Sequence, residues 1–254
     1  MTDAPQMNTG DISFWPILKI NYPTDAAKLN ALLPPGIDPS DTANVHLSIY
    51  CVPVPDEPEY GCVLSVDADY RGQKGVYSLG YAIDQESAVF ISRDMNGQPK
   101  YPAEIDYWLM GNDVRARVTH QRYTFAEFAG QRAGAAEPQE WVEYEWWIKN
   151  SRAVGGAEKA YDFPPHVVQV KAGYKSVHIE NLEGELLLRD SPWDPIAEHL
   201  PITGEVSSRL QSAVPTVREI TLEGPLDPDA YWPFSDTISG SRWPGSMGGP
   251  KRDR

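Results

Sequence analysis

The sequence predicts a mainly β fold of α+β type, an antiparallel sheet closed or folded back on itself with a few short helices. Three observations carry this. Val, Ile, Tyr, Trp and Thr recur in short alternating stretches, the period-2 signature of half-buried strands. Punctuation is frequent, with 23 prolines and 20 glycines, so few segments are long enough for bundle helices. Apolar residues make up 41% of the 254 residues, enough for one sizeable core.

In chain order, Asp11 to Tyr22 alternates around Phe14, Trp15, Ile17, Leu18 and Ile20 and predicts a strand interrupted at Pro16. Thr24 is placed to cap a short helix with a stripe of Ala27, Leu29, Leu32 and Leu33, stopped by Pro34-Pro35-Gly36. Strands follow at Val45–Val54 and Cys62–Tyr70, then a tight turn at 71–75, then strands at Val76–Ile83 and Ser87–Ile91. Arg93 to Tyr101 breaks the pattern with Gly97 and Pro99. Strands resume at Ala103–Met110, Val114–Phe128 and Glu140–Lys149, with loops expected at 130–138 and 151–165. Further strands are expected at Val167–Val170, Lys175–Leu182 and Glu185–Arg189, a turn or short helix at 192–201, and a last strand within Thr203–Leu222. No repeat, linker or composition shift divides the chain. One domain over 1–254 is expected, with peripheral tails at about 1–10 and 235–254.

The net charge of −14 disfavours phosphate backbones and anionic lipid headgroups, so neither nucleic acid nor a membrane is an expected partner. No apolar run is long enough to span a bilayer, and Met1 to Gly10 has no basic stretch of a secretory signal. A cytoplasmic protein is expected, with Cys51 and Cys62 as small buried hydrophobes. The five histidines are scattered, the two cysteines fit no zinc spacing, and neither metal nor cofactor is expected. There is no phosphate loop and no Gly-x-Ser-x-Gly elbow. The acidic pairs Asp56/Glu57/Glu59 and Glu143/Glu145 read as solvated faces of an acidic chain.

The informative segment is 88–103. An apolar strand ends at Arg93-Asp94, turns through Asn96-Gly97, and presents Lys100 between Pro99 and Tyr101-Pro102. Prolines pin the backbone on both sides of one lysine. This segment resembles the acetoacetate decarboxylase superfamily, whose pattern is a strand, Gly-Arg-Glu, a short stretch and Pro-Lys-Lys. Arg93-Asp94 stands at the Arg-Glu pair and Pro99-Lys100 at the Pro-Lys. Tyr70-Arg71-Gly72 with Lys74 to Tyr77, the acidic pair Asp84 and Glu86, Tyr22 to Pro34, and Leu186 to Ser208 extend the likeness over roughly 15–225.

The resemblance implies a cone-shaped antiparallel β-barrel, a homo-oligomer of four or more copies, a small keto-acid substrate and Lys100 as Schiff-base nucleophile. A free lysine, pKa ~10.4, is almost wholly charged at neutral pH, and a shift of ~3 units needs about 4 kcal/mol of bias against the ammonium. Acetoacetate decarboxylase is itself the standing example of a lysine activated in this way. The sequence also departs from the family. Pro23 stands where the decarboxylases carry an arginine, Ser48 and about Gly61 where they carry two glutamates, and Tyr101 at the second lysine.

Kept nucleophile with replaced partners points to a lyase acting on 2-oxo acids: a pyruvate aldolase-dehydratase, or a hydratase of unsaturated 2-oxo acids. Gln98, Asn96, Tyr60 and Tyr231 are the candidate substrate-binding residues, with Arg93 and Asp94 structural nearby, Arg93 as an ion-pair partner of Asp94 or Glu104. The alternatives are an acetoacetate-type decarboxylase and a barrel that binds a small molecule without using Lys100 covalently.

Overall fold

The protein is described here by a computed structural model covering residues 15–53, 57–155, 160–235 and Trp243. The expected tails at 1–10 and beyond 235 lie outside these residues, apart from Trp243, which is buried and stacks on His199 at 5.3 Å.

The strands are β1 (Ile17–Pro23), β2 (Asp38–Pro39), β3 (Asn44–Pro53), β4 (Pro58–Tyr70), β5 (Gln73–Ile83) and β6 (Lys100–Pro102). They continue with β7 (Glu104–Met110), β8 (Asp113–His120), β9 (Tyr123–Ala135), β10 (Glu140–Arg152), β11 (Tyr161–Leu188) and β12 (Ser207–Pro225). Short α-helices lie among and after them in the described residues, α1 (Ala26–Asn30), α2 (Glu86–Asn96), α3 (Ile196–His199) and α4 (Pro228–Tyr231), with a 3-10 turn at Trp232–Phe234.

All these strands belong to one sheet, and among the described residues β10, β5, β4, β3, β1, β12 and β11 close into a ring when β11 pairs back onto β10. Six of the joints are antiparallel and one, β10–β5, is parallel. The seam is forced. Strand direction cannot alternate all the way round a ring of odd number, so one joint must be parallel.

The 28-residue β11 serves two layers. Its first part pairs with β10, its last part with β9, and β9–β8–β7 lies as a second layer outside the ring. Leu18, Ile20, Leu47 and Ile49 point outward from the ring wall into this gap, where Val114, Ala116, Phe125 and Phe128 meet them. The main core is therefore outside the ring, and each such residue contributes ~1.5–3 kcal/mol on burial. The alternate residues on the same strands face inward and leave a polar cavity.

Several local expectations need correction. Ser87–Ile91 is not a strand but the first half of α2. Ala88 and Val89 are buried while Phe90 and Ile91 are exposed, and Gly97 closes the helix at φ 68°; a short apolar run does not by itself tell strand from helix. The cap of α1 is Asp25 rather than Thr24, its carboxylate accepting from the Lys28 N–H at 3.0 Å. Val114–Phe128 is two strands, turned at Gln121 and Arg122, which adopt φ of 52° and 72° without a glycine to mark the hairpin. The expected loop at 130–138 is largely strand, since β9 runs to Ala135. The three expected strands between 167 and 189 are the single β11. Cys51 and Cys62 are free and buried.

Candidate active site

Lys100 owes its position to how α2 ends. Gly97 takes the left-handed conformation and donates its N–H to the Arg93 carbonyl at 2.9 Å. A side chain at 97 would overlap the backbone of Lys149, with a Cβ only 2.5 Å from the Lys149 Cα. Lys149 Nζ in turn donates to the Asp94 and Met95 carbonyls at 3.1 and 2.8 Å, closing the helix C-terminus with a cation. The chain then turns through Gln98-Pro99, the Tyr81 N–H donates to the Pro99 carbonyl at 2.9 Å, and β6 runs parallel to β5 with Lys100 opposite Tyr81.

The Lys100 side chain enters a cavity of about 650 Å³ inside the ring. It is 6% exposed, and its Nζ lies 3.0 Å from Oε2 of Glu59, itself 2% exposed. Glu59 Oε1 accepts from the Tyr50 hydroxyl at 2.7 Å. Burial, followed by the Glu59 charge, pushes the Tyr50 phenol well above its ordinary range, so it stays a donor. A second carboxyl, Glu145, accepts from Ser78, Tyr81 and the Trp147 indole. Burial pushes Glu145 up, although those three donors pull the other way. Tyr81 also hydrogen-bonds Gln98, so the loop that carries Lys100 is tied to the Glu145 network.

Two of the expected binding residues, Gln98 and Asn96, line this cavity beside Lys100. Tyr60 does not line it. It follows Glu59 on β4, and alternation turns its ring to the other face, where it packs on the main core and its hydroxyl meets Cys51. Tyr231 is buried on α4 beside a separate small cavity of about 100 Å³ behind the lysine loop, together with Arg93 and Gly97. Arg93 Nη1 donates to the Lys100 carbonyl at 3.4 Å, and Asp94 is exposed.

The sequence reading missed both carboxyls. Glu59 and Glu145 are not solvated faces but cavity groups, Glu59 buried and Glu145 half-buried. Glu59, two residues before Gly61 and so on the same face of β4, places a carboxylate against Lys100 that the sequence reading had not assigned to the site. Gly61 itself makes room for the Tyr50 ring, since a Cβ there would come within 2.4 Å of the Tyr50 Cζ. The usable signal was strand alternation, with Glu143, Glu145 and Trp147 in step on β10 and Glu59, Val63 and Ser65 on β4.

The sequence matches the acetoacetate decarboxylase family over residues 3–223. The chain belongs to that family. Solved structures agree on the fold. Acetoacetate decarboxylase from Legionella pneumophila superposes with a TM-score of 0.72 at 17% identity, over 89% of this chain and 93% of that one. An acetoacetate decarboxylase-like enzyme from Sphingomonas wittichii gives 0.65 at 16%, over 83% and 91%. The enduracididine biosynthesis enzyme MppR, complexed with the condensation product of pyruvate and imidazole 4-carboxaldehyde, gives 0.62 at 14%, over 85% and 88%. No curated protein matches the sequence. Among the described residues no group of three His, Cys, Asp or Glu side chains could hold a metal, and no helix is long and apolar enough to cross a membrane.

Proposed function

We propose that the protein is a lysine Schiff-base lyase acting on 2-oxo acids. The observation that carries this is the buried Lys100 Nζ, 3.0 Å from the Glu59 carboxylate in a cavity large enough for a small organic acid. Glu59 takes one proton from the ammonium. The freed amine adds to the substrate ketone, and the resulting carbinolamine loses water to give an iminium. The iminium then draws electrons from the neighbouring C–H bond. A base on the cavity wall, for which Glu145 is the candidate carboxylate, removes that proton and leaves an enamine. The enamine carbon adds to an aldehyde or takes up a proton, and water hydrolyses the imine to release product and free Lys100. MppR, which binds a pyruvate condensation product on the same fold, supports this direction of chemistry.

Decarboxylation of a 3-oxo acid is the second reading, in which the iminium electrons come from a breaking C–CO₂ bond. The match to the acetoacetate decarboxylase family over residues 3–223 supports it.

Borohydride reduction followed by intact-mass measurement tests both. A stable adduct with pyruvate, absent in Lys100→Ala, is the expected result. An adduct with acetoacetate and release of carbon dioxide would favour the second reading. No adduct with either compound would overturn the covalent assignment.

A further inference from the structure

The register of the ring places one row of side chains across it. Arg209 on β12 is opposite Lys19 on β1, Lys19 is opposite Ser48 on β3, Ser48 opposite Val63 on β4, Val63 opposite Tyr81 on β5, and Tyr81 opposite Lys100 on β6. All six line the cavity. Three joints of the seven-stranded ring and the β5–β6 pairing, four spacings of ~4.8 Å in all, separate Lys19 from Lys100 along the wall, about half of the way round. The two amines therefore face each other from opposite walls.

Lys19 and Arg209 are like charges directly opposed on adjacent strands, an arrangement that destabilises a sheet unless something neutralises it. The protein supplies little. Lys19 has no hydrogen-bond or ion-pair partner among the described residues. Arg209 Nη1 reaches only Gln139 Oε1, at 3.5 Å, and its buried Nε has no partner. Two residues along the same face of β12, Gln211 is 4% exposed, and its buried Oε1 has no hydrogen-bond partner. Its side-chain amide can turn to present the N–H₂ instead. The other charged groups on this side of the cavity are Arg218 and Glu143, and only Glu143 is negative; it interacts with Arg209 through space. In a chain of net charge −14, a wall that sets Lys19, Arg209 and Arg218 against the single carboxylate of Glu143, beside a buried amide whose oxygen has no partner and which can turn its N–H₂ to the cavity, suits an anion.

We propose that Lys19, Arg209 and Gln211 form a clamp for a second carboxylate, at the end of the substrate remote from the carbonyl that Lys100 attacks. Building on the Schiff-base reading, this makes the preferred substrate a dianionic 2-oxo acid, with its first carboxylate near Gln98 and Asn96 and its second on the β1–β12 wall.

The test compares 2-oxoglutarate with 2-oxopentanoate, which has the same chain length but a methyl in place of the distal carboxylate. Reductive trapping is followed over a concentration series by intact mass. Wild type is expected to reach half-maximal adduct at a concentration roughly tenfold or more lower with 2-oxoglutarate. Lys19→Met and Arg209→Met should each cut that preference severely, with folding checked by thermal unfolding. A wild type without the preference, or a preference that survives both substitutions, overturns the clamp. If neither compound is trapped, the imine reading has failed and the clamp is judged alone. Glutarate, which has no ketone, should still bind wild type in calorimetry and bind far more weakly to Ser48→Glu, whose carboxylate would sit beside Lys19. Absence of glutarate binding to wild type would overturn the clamp.

Discussion

The ring of Tyr50 occupies the space that a side chain at Gly61 would need, and from there its hydroxyl holds Glu59 at 2.7 Å. Gly61→Ala is therefore expected to push the ring aside and release Glu59. Overpacking of this kind costs about 1–3 kcal/mol, which thermal unfolding will read. Tyr50→Phe separates the two effects: it keeps the packing and removes only the hydroxyl, so imine trapping should slow with little change in melting temperature.

Glu59 and Lys100 are expected to depend on each other for stability. Removing one member of a buried pair leaves the other uncompensated, at a cost of about 3–5 kcal/mol. Glu59→Gln and Lys100→Met should each destabilise, and the double variant should be less destabilised than the sum. A double-mutant cycle from denaturant unfolding measures this, and strict additivity would contradict the contact. Glu59→Gln should also slow trapping by roughly 10²-fold or more if it takes the lysine proton.

Asp67 ties the cavity wall together. Burial alone would raise its carboxyl, but hydrogen bonds from His46, Thr42 and Asn44 outweigh this and hold it at about 2. A lowered folded value means that the native state holds the ionised form. The stabilisation is present above the unfolded value of ~3.9 and is lost as pH falls towards 2. Asp67→Asn should melt below wild type at pH 7, with the gap closing over that interval. A constant gap would contradict the assignment.

Glu145 behaves in the opposite sense. Burial raises its carboxyl, so the native state binds the proton more readily than the unfolded chain. The protonated form's stabilisation is intact below the unfolded value of ~4.3 and is lost as pH rises from there through the raised folded value, and Glu145→Gln should lack that loss. Melting curves of both proteins between pH 4 and neutrality will separate the profiles by slope.

Much of the architecture could be read from residue patterns because strands announce themselves by alternation. Lys100 stood out because prolines flank it on both sides. What escaped was anything set by pairing across the sheet. Glu59 and Glu145 looked like surface charge because acidic residues are common in this chain, and only the register shows that both turn inward. Tyr60 was placed one residue off, which in a strand means the opposite face. Helix α2 was hidden by a four-residue apolar run whose periodicity fits either state. The Lys19–Arg209 row joins residues 190 positions apart in the chain, beyond the reach of local patterning.

The parallel seam bears on how the protein matures. β5 carries both β10 and β6 as parallel neighbours, so the joint that closes the ring lies beside the strand that delivers Lys100. Pairing of Val76 and Tyr77 with Glu145 and Trp146 spans a long stretch of intervening chain, and contacts of that range form late because loop closure must come first. Until the seam closes, Lys100 has no enclosing wall and Glu145 has no Tyr81 to bind. A nascent or partly refolded chain thus carries an ordinary surface lysine. Competence for imine chemistry should return with the slowest refolding phase, well after most of the sheet has formed.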